Sequence, residues 1–230
     1  MKMKIGELVI VFLLCTISTA AQPKVILIDM DVDTISLKYK WMGSIVSEDL
    51  TSMNVDYKKP VGFKELGTYE CFEETPKLDE AFACPLGLIQ ADDNQFKVFL
   101  IPTPKYNKEK ILDMRKLVPD FDPDEIPVNR MKNLIKVFYG KEKANNWQQF
   151  VTFYSSKEAH KKFNADSAMR LSISLSPQDA YQNVFKNIEV LIFQKKACGA
   201  ICLICFYTDI ALNHFDSYWK KIEKVCVYGD

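Results

Sequence analysis

The sequence predicts an α+β fold: a mostly antiparallel sheet with several helices packed on it, and a C-terminal hairpin followed by a helix. Some segments alternate apolar and polar residues, which is the period of half-buried strands, while others repeat apolar residues every three or four positions, as amphipathic helices do. Near the C-terminus two apolar runs flank a short polar turn. Such a pair is typical of antiparallel neighbours.

The predicted strands of the first half are short. They cover 24–29, 34–41, 96–101 and, on weaker patterning, 66–72. Pro102 and Pro104 predict that the strand at 96–101 ends there, because proline cannot donate a ladder hydrogen bond.

Helical periodicity dominates the middle of the chain. Helices are predicted over 107–118, 127–140 and 155–163, and Gly140 is a natural stop for the second. Residues 169–175 alternate as a strand. Ser176 and Pro177 then favour a helix start, as N-cap and first helical residue.

The C-terminal region predicts two strands, 187–194 and 200–208, joined by a turn at 195–199. A final helix is predicted over 211–227, because its apolar residues recur at spacings of three and four. The predicted stripe consists of Leu212, Phe215, Trp219, Ile222 and Cys226.

The N-terminus has the pattern of a secretory signal peptide. Lys2 and Lys4 precede a short apolar run, and small residues end at Ala20 or Ala21. We therefore expect residues 1–21 to be a signal peptide and residues 22–230 to be a single secreted α+β domain. No later apolar segment approaches the ~20 residues that a bilayer requires, so no membrane span is expected.

Composition limits the class of partner. The chain has 30 basic and 30 acidic residues, which argues against nucleic acid because nucleic-acid-binding proteins need a basic surplus. Its hydrophobic content of 48% indicates a folded core and not a disordered chain.

The cysteines of the mature chain are expected to form three disulfides, because their number is even and the expected compartment is oxidising. Cys71 and Cys84 flank a polar loop and are expected to pair with each other. The other four have three possible pairings, and the sequence does not choose among them. The six are Cys71, Cys84, Cys198, Cys202, Cys205 and Cys226.

Metal and redox roles for these cysteines are disfavoured. Cys202 and Cys205 have no second cysteine or histidine pair to complete a zinc site. They also lie in a strand-like run, where they point to opposite faces, and not at a helix N-terminus that would activate a thiolate. We therefore predict no metal, no cofactor and a structural role.

Other motifs carry no catalytic assignment. Residues 24–33 resemble the strand and paired aspartates that open haloacid dehalogenase-like phosphatases, but Asp33 replaces the Thr or Val of that motif. The acidic segment from Asp120 lacks the Gly and Glu of an EF-hand loop. His160 and His214 have no nucleophile motif beside them, so no catalytic residue is predicted.

These observations favour a secreted, disulfide-stabilised, non-catalytic binding protein for a small apolar ligand or an extracellular protein. The alternative is a secreted hydrolase whose catalytic groups are scattered in sequence. A deep pocket that joins a histidine to carboxylates would favour the hydrolase. A dry apolar cavity would favour ligand carriage, and a flat aromatic patch would favour a protein partner.

Overall fold

The computed structural model describes residues 43–66, 72, 75–82 and 87–230. The predicted signal peptide, the predicted strands at 24–29 and 34–41, and almost all of the one at 66–72 lie outside the described residues. The aspartates at 29 to 33 do so too, as do Cys71 and Cys84.

The described chain forms a seven-stranded antiparallel sheet in the order β2-β3-β4-β8-β7-β6-β5, and β1 and β9 pair separately. This confirms the α+β class and the antiparallel sheet. The strands are β1 Val55–Tyr57, β2 Phe63–Glu65, β3 Leu88–Ala91, β4 Phe96–Pro104, β5 Val151–Phe153, β6 Ser167–Ser174, β7 Asn187–Lys195, β8 Gly199–Tyr207 and β9 Cys226–Tyr228.

Helices cover both faces of the sheet. They are α1 Gly43–Ser52, α2 Pro76–Phe82, α3 Lys108–Leu117, α4 Ile126–Tyr139, α5 Lys141–Asn145, α6 Ser156–Phe163, α7 Asp209–Leu212 and α8 Phe215–Ile222. One face packs against α1, α6, α8 and the β1–β9 pair, and we call this the first core. The opposite face packs against α2 and α4 and forms the second core.

The central hairpin is buried on both sides. Along β8, Leu203 and Cys205 point into the first core, whereas Cys202, Ile204 and Phe206 point into the second. A strand covered on both faces needs apolar residues at successive positions. This explains the nearly continuous apolar run of the predicted C-terminal hairpin.

The three predicted central helices are confirmed. Asn107 caps α3 by accepting from the Lys110 N–H, and Gly140 ends α4 with a φ of 95°. Ser155 and Glu158 form a reciprocal capping box at the start of α6. Local capping chemistry therefore fixes these boundaries.

The expected end of β4 at Pro102 was wrong, because the strand continues to Pro104. The Leu100 N–H donates to Gly87 on the β3 side, and the Lys105 N–H donates to Cys198 on the β8 side. Since N–H directions alternate, both prolines direct their nitrogens towards β3, which extends only to Leu88. Neither proline removes a ladder bond to β8.

The single helix expected over 211–227 was also wrong. The segment divides into α7, α8 and β9, so Cys226 lies in a strand paired with Tyr57 of β1. Leu212 is 50% exposed and does not join the buried stripe, which keeps Trp219 and Ile222. The helix predicted to begin at Ser176 is only a three-residue 3-10 turn, Pro177–Asp179.

The four described cysteines are free thiols, so the expected staple between the hairpin and the final helix is absent from the structure. Cys202 and Cys205 face opposite cores, as predicted. Cys226 lies on β9 and not on the helix stripe from which it was expected to reach a strand cysteine.

Thiol reactivity should separate these cysteines. Burial raises the pKa of the Cys202, Cys205 and Cys226 thiols, so little reactive thiolate forms, whereas Cys198 is only half-buried. We expect iodoacetamide at pH 8 to label Cys198 in the native protein and the other three only in denaturant. Peptide mass mapping identifies which cysteines carry the label. If Cys198 were labelled only after reduction, that result would show that it is in a disulfide.

Candidate interaction surface

One end of the seven-stranded sheet brings four connecting segments together. The strand register aligns Phe63 with Ala91, Phe96 with Tyr207, and Tyr207 with Asn187. The segments that leave the strands at this end are 58–62, 92–95, 175–186 and 208–214. We call this the loop end. Segments more than 100 residues apart in sequence are neighbours there.

Side-chain and backbone hydrogen bonds connect these segments. The Asp92 N–H donates to the Gly62 carbonyl over 2.9 Å. The Thr208 hydroxyl donates to the Gln95 side chain over 2.6 Å, and the Tyr218 hydroxyl donates to Asp93. Because three segments are cross-linked in this way, their side chains are held before any partner arrives.

The fourth segment is held by charged groups. Lys186 forms a 2.7 Å ion pair with Asp209, which also accepts from the Asn187 amide over 3.2 Å. These bonds, from Lys186 first, lower the pKa of Asp209. Gln182 and Asn183 form a tight turn with positive φ angles. The Lys186–Asp209 pair therefore ties the end of the fourth segment to the start of α7.

A buried lysine on β4 contacts the same turn from the sheet side. Lys97 is 5% exposed, and its ammonium lies 3.1 Å from the Gln182 side-chain oxygen. It also lies 5.1 Å from the Tyr181 ring centroid and 5.5 Å from that of Phe185. Aromatic faces attract a cation electrostatically. The Lys97 charge thus helps to fix the loop from the sheet side.

Exposed apolar side chains concentrate at the loop end. Of the seven large apolar residues that are exposed in the described chain, four lie on its segments. These four are Val61, 86% exposed, Val184, 51% exposed, Ile210, 63% exposed, and Leu212, 50% exposed. Apolar side chains held on fixed loops are characteristic of interaction sites.

The other three exposed apolar residues lie elsewhere. Leu112 and Leu117 belong to α3, which buries no residue, and Phe153 belongs to the edge strand β5. They provide a natural comparison set for Val184, Ile210 and Leu212, because the two sets match in number and in exposed fraction.

An open depression of about 570 Å³ adjoins the loop end at the bend between α7 and α8. His214, Asp216 and Ser217 line it together with Leu212 and Phe215. Within the described residues these three polar side chains make no hydrogen bonds to one another. A nucleophile needs its base within hydrogen-bond reach.

His160 occupies a different position, on the exposed face of α6. It does not line the depression that contains His214. A second depression, at the opposite end of the sheet between Pro104 and Gln194, has a volume of about 10 Å³. That volume admits about one water molecule.

The most buried charge of the described chain lies in the first core and was not singled out by the sequence. Glu189 on β7 is 1% exposed and accepts from Arg170 and, over 2.8 and 2.9 Å, from the Ser172 hydroxyl on β6. The Arg170 guanidinium lies 4.4 Å from the Trp219 ring centroid and 5.2 Å from that of Phe215. This network fastens α8 to the sheet.

No three His, Cys, Asp or Glu side chains in the described ranges converge as metal ligands. Among the described helices, none combines the length and apolar character that a membrane crossing requires.

Comparison with known proteins gave no match to a family, to a curated protein or to a solved structure.

Proposed function

We propose that this chain is a secreted, non-catalytic binding protein whose loop end contacts another extracellular protein. The observation that carries the proposal is the concentration of Val184, Ile210 and Leu212 on segments that are already cross-linked. Protein interfaces combine an apolar centre with a polar rim. The neighbouring exposed Gln182 and Asn213 supply such a rim.

Fixed loops favour binding energetically. Ordering a flexible interface side chain costs about 0.5–1.5 kcal/mol on association. The Lys186–Asp209 pair and the Thr208–Gln95 bond have ordered these segments in the free protein. The apolar surface they present can therefore contribute more of its burial energy to affinity.

A protein partner is favoured over a small apolar ligand. Carriage of an apolar ligand needs an enclosed, largely apolar cavity of several hundred Å³. The depression of about 570 Å³ beside α7 and α8 is open, and polar residues form most of its lining. The depression between Pro104 and Gln194 has room for about a water molecule.

A secreted hydrolase remains the alternative function. Its support is that His214, Asp216 and Ser217 line one depression. The binding function comes first because these groups are not linked as a base and nucleophile are in activated sites.

The extracellular location rests on the leader pattern of residues 1–21. We include in the proposal a disulfide between Cys71 and Cys84, which would add about 3 kcal/mol to folding stability in the chain-entropy model. In the iodoacetamide experiment above, these two cysteines would remain unlabelled in denaturant until a reductant is added.

The proposed interface is tested by capture of extracellular partners. Full-length protein is expressed in a secretory host, recovered from the medium and immobilised. It is compared with the triple variant Val184→Ser, Ile210→Ser, Leu212→Ser. We expect quantitative mass spectrometry to find partners that wild type retains and the triple variant loses at least about tenfold, since each apolar side chain contributes about 1–2 kcal/mol when buried.

The matched control is Leu112→Ser, Leu117→Ser, Phe153→Ser, which removes the same number of exposed apolar side chains. It should retain the partners. Equal loss in both variants, or no difference between wild type and the loop-end variant, would contradict the proposed interface.

A further inference from the structure

Seven exposed lysines lie on three segments that adjoin one another on the outer side of the first core. We call them the basic face. They are Lys58, Lys59, Lys157, Lys161, Lys220, Lys221 and Lys224. None of them has a carboxylate partner within the described residues. The balanced charge of the whole chain conceals this local surplus.

Specific contacts bring the three segments together. The Lys58 N–H donates to the Val225 carbonyl over 2.8 Å, which places the linker after β1 beside the end of α8. The Lys221 ammonium lies 5.9 Å from the Phe63 ring centroid on β2. An ion pair of 2.6 Å between Lys162 and Glu223 joins α6 to α8.

Acidic residues on this side are mostly engaged. Glu223 is occupied by Lys162 and by the Tyr154 hydroxyl. Glu158 accepts from the backbone and hydroxyl of Ser155, and those bonds lower its pKa. Asp56, Glu158 and Asp216 have no ion pair among the described residues of this side, and neither has the exposed Asp93, which accepts from the Tyr218 hydroxyl of α8. The seven lysines outnumber these carboxylates, so the basic face has a positive surplus.

The composition of this face fits a linear polyanion better than a protein. Lysine is depleted at the centre of protein interfaces, where aromatic residues and arginine dominate. All seven members here are lysines, whose flexible stems and hydrated ammonium groups act as adjustable point charges. Such charges suit a hydrated chain that carries regularly spaced anionic groups.

Nucleic acid and membrane are less suitable occupants. Binding of single strands uses exposed aromatic rings for stacking, whereas on this side Phe63 and Trp219 are buried and the rings of Tyr57, Tyr154, Phe215 and Tyr218 are half-buried. Membrane insertion needs an exposed apolar helix face, and α8 buries Trp219 and Ile222 against the sheet.

We propose that the basic face binds a sulfated glycosaminoglycan, with the lysines of α6, α8 and the linker after β1 contacting its sulfate and carboxylate groups. Among polyanions we choose an extracellular polysaccharide because the proposed function places the protein outside the cell. The site shares segment 58–62 with the loop end, and Lys220 lines the same depression as Leu212, but its contacts are lysines and not the apolar side chains of the proposed protein interface.

The test measures binding of the full secreted chain to immobilised heparan sulfate by surface plasmon resonance. The variant is Lys220→Gln, Lys221→Gln, Lys224→Gln, and the linker variant is Lys58→Gln, Lys59→Gln. The control removes the same charge from exposed lysines of α3, α4 and α5, as Lys108→Gln, Lys136→Gln, Lys141→Gln. Thermal unfolding checks that each variant is folded.

We expect the α8 variant to weaken binding about tenfold at fixed salt and the control to weaken it less than about twofold, with wild-type affinity falling as salt rises. The linker variant should also lose affinity, independently of any change in α8. Equal losses in the α8 variant and the control, equally tight binding of a DNA duplex, or no wild-type binding would overturn the proposal.

These outcomes separate the two proposals. Loss of heparan sulfate binding in the α8 variant with intact partner capture assigns the two activities to different side chains. Failure of partner capture with intact heparan sulfate binding would count against the proposed protein interface alone.

Discussion

Replacing Arg170 by methionine is expected to lower the free energy of unfolding by about 3 kcal/mol, because it leaves the Glu189 carboxylate buried without its cation. Glu189 is 1% exposed, and only the Ser172 hydroxyl would still donate to it. The substitution also removes the guanidinium from the Trp219 and Phe215 rings. Urea unfolding monitored by tryptophan fluorescence measures the loss.

The destabilisation should depend on pH in a defined direction. Burial already raises the pKa of Glu189 above its ordinary value of 4.5, against the opposing effect of Arg170. Without Arg170 the pKa rises further, so the folded state binds more protons than the unfolded state at pH values above 4.5. Stability then falls as pH rises through that range. The difference between variant and wild type should be smaller near pH 4.5 than at pH 7.

The control is the double variant Arg170→Met, Glu189→Gln, which removes the buried charge as well as its partner. It should recover part of the lost stability, and its own stability should no longer contain the Glu189 contribution that falls as pH rises. A single variant as stable as wild type at pH 7 would show that water or another group compensates Glu189.

Replacing Gly199 by alanine is expected to destabilise the protein by about 4 kcal/mol, through backbone strain and a direct clash. Gly199 has a φ of 126°, which side chains rarely tolerate. An added Cβ would lie 2.3 Å from the Thr103 carbonyl oxygen and 2.8 Å from the Lys105 nitrogen. Both are backbone atoms, so no side-chain rotation relieves the overlap. The clash falls where the β7–β8 turn meets the end of β4.

Gly140→Ala is the matched control. Gly140 also has a positive φ, of 95°, but an added Cβ would meet nothing within 4 Å. The Gly140→Ala substitution should lower the free energy of unfolding by about 1–3 kcal/mol, from backbone strain alone. The excess loss at Gly199, measured by urea unfolding of both variants, isolates the clash with β4. Equal losses would contradict the close approach of the turn to that strand.

Local signals in the sequence were sufficient for several elements. The α6 helix follows from Ser155, Glu158 and a short apolar spacing, and the β7–β8 hairpin follows from two apolar runs around a polar turn. Capping and periodicity act within a few residues, so they can be recognised without the fold. The three-residue strands β1 and β9 have too little local pattern to be recognised.

The candidate surfaces depend on contacts between distant segments. Thr208 meets Gln95 across 113 positions of sequence, and Lys162 meets Glu223 across 61. Leu212 fitted the helical stripe and was expected to be buried, but the bend between α7 and α8 leaves it exposed. Its role in the proposed interface followed only from that bend.

By itself, the sequence determined the α+β class, the central helices and the C-terminal hairpin, because short-range hydrogen bonding and the burial period of each segment are set by neighbouring residues. The tertiary structure decided which charges are buried, which apolar residues remain exposed and where lysines accumulate. Those properties depend on strand register and helix packing, through which residues far apart in the chain share or lose contact with water.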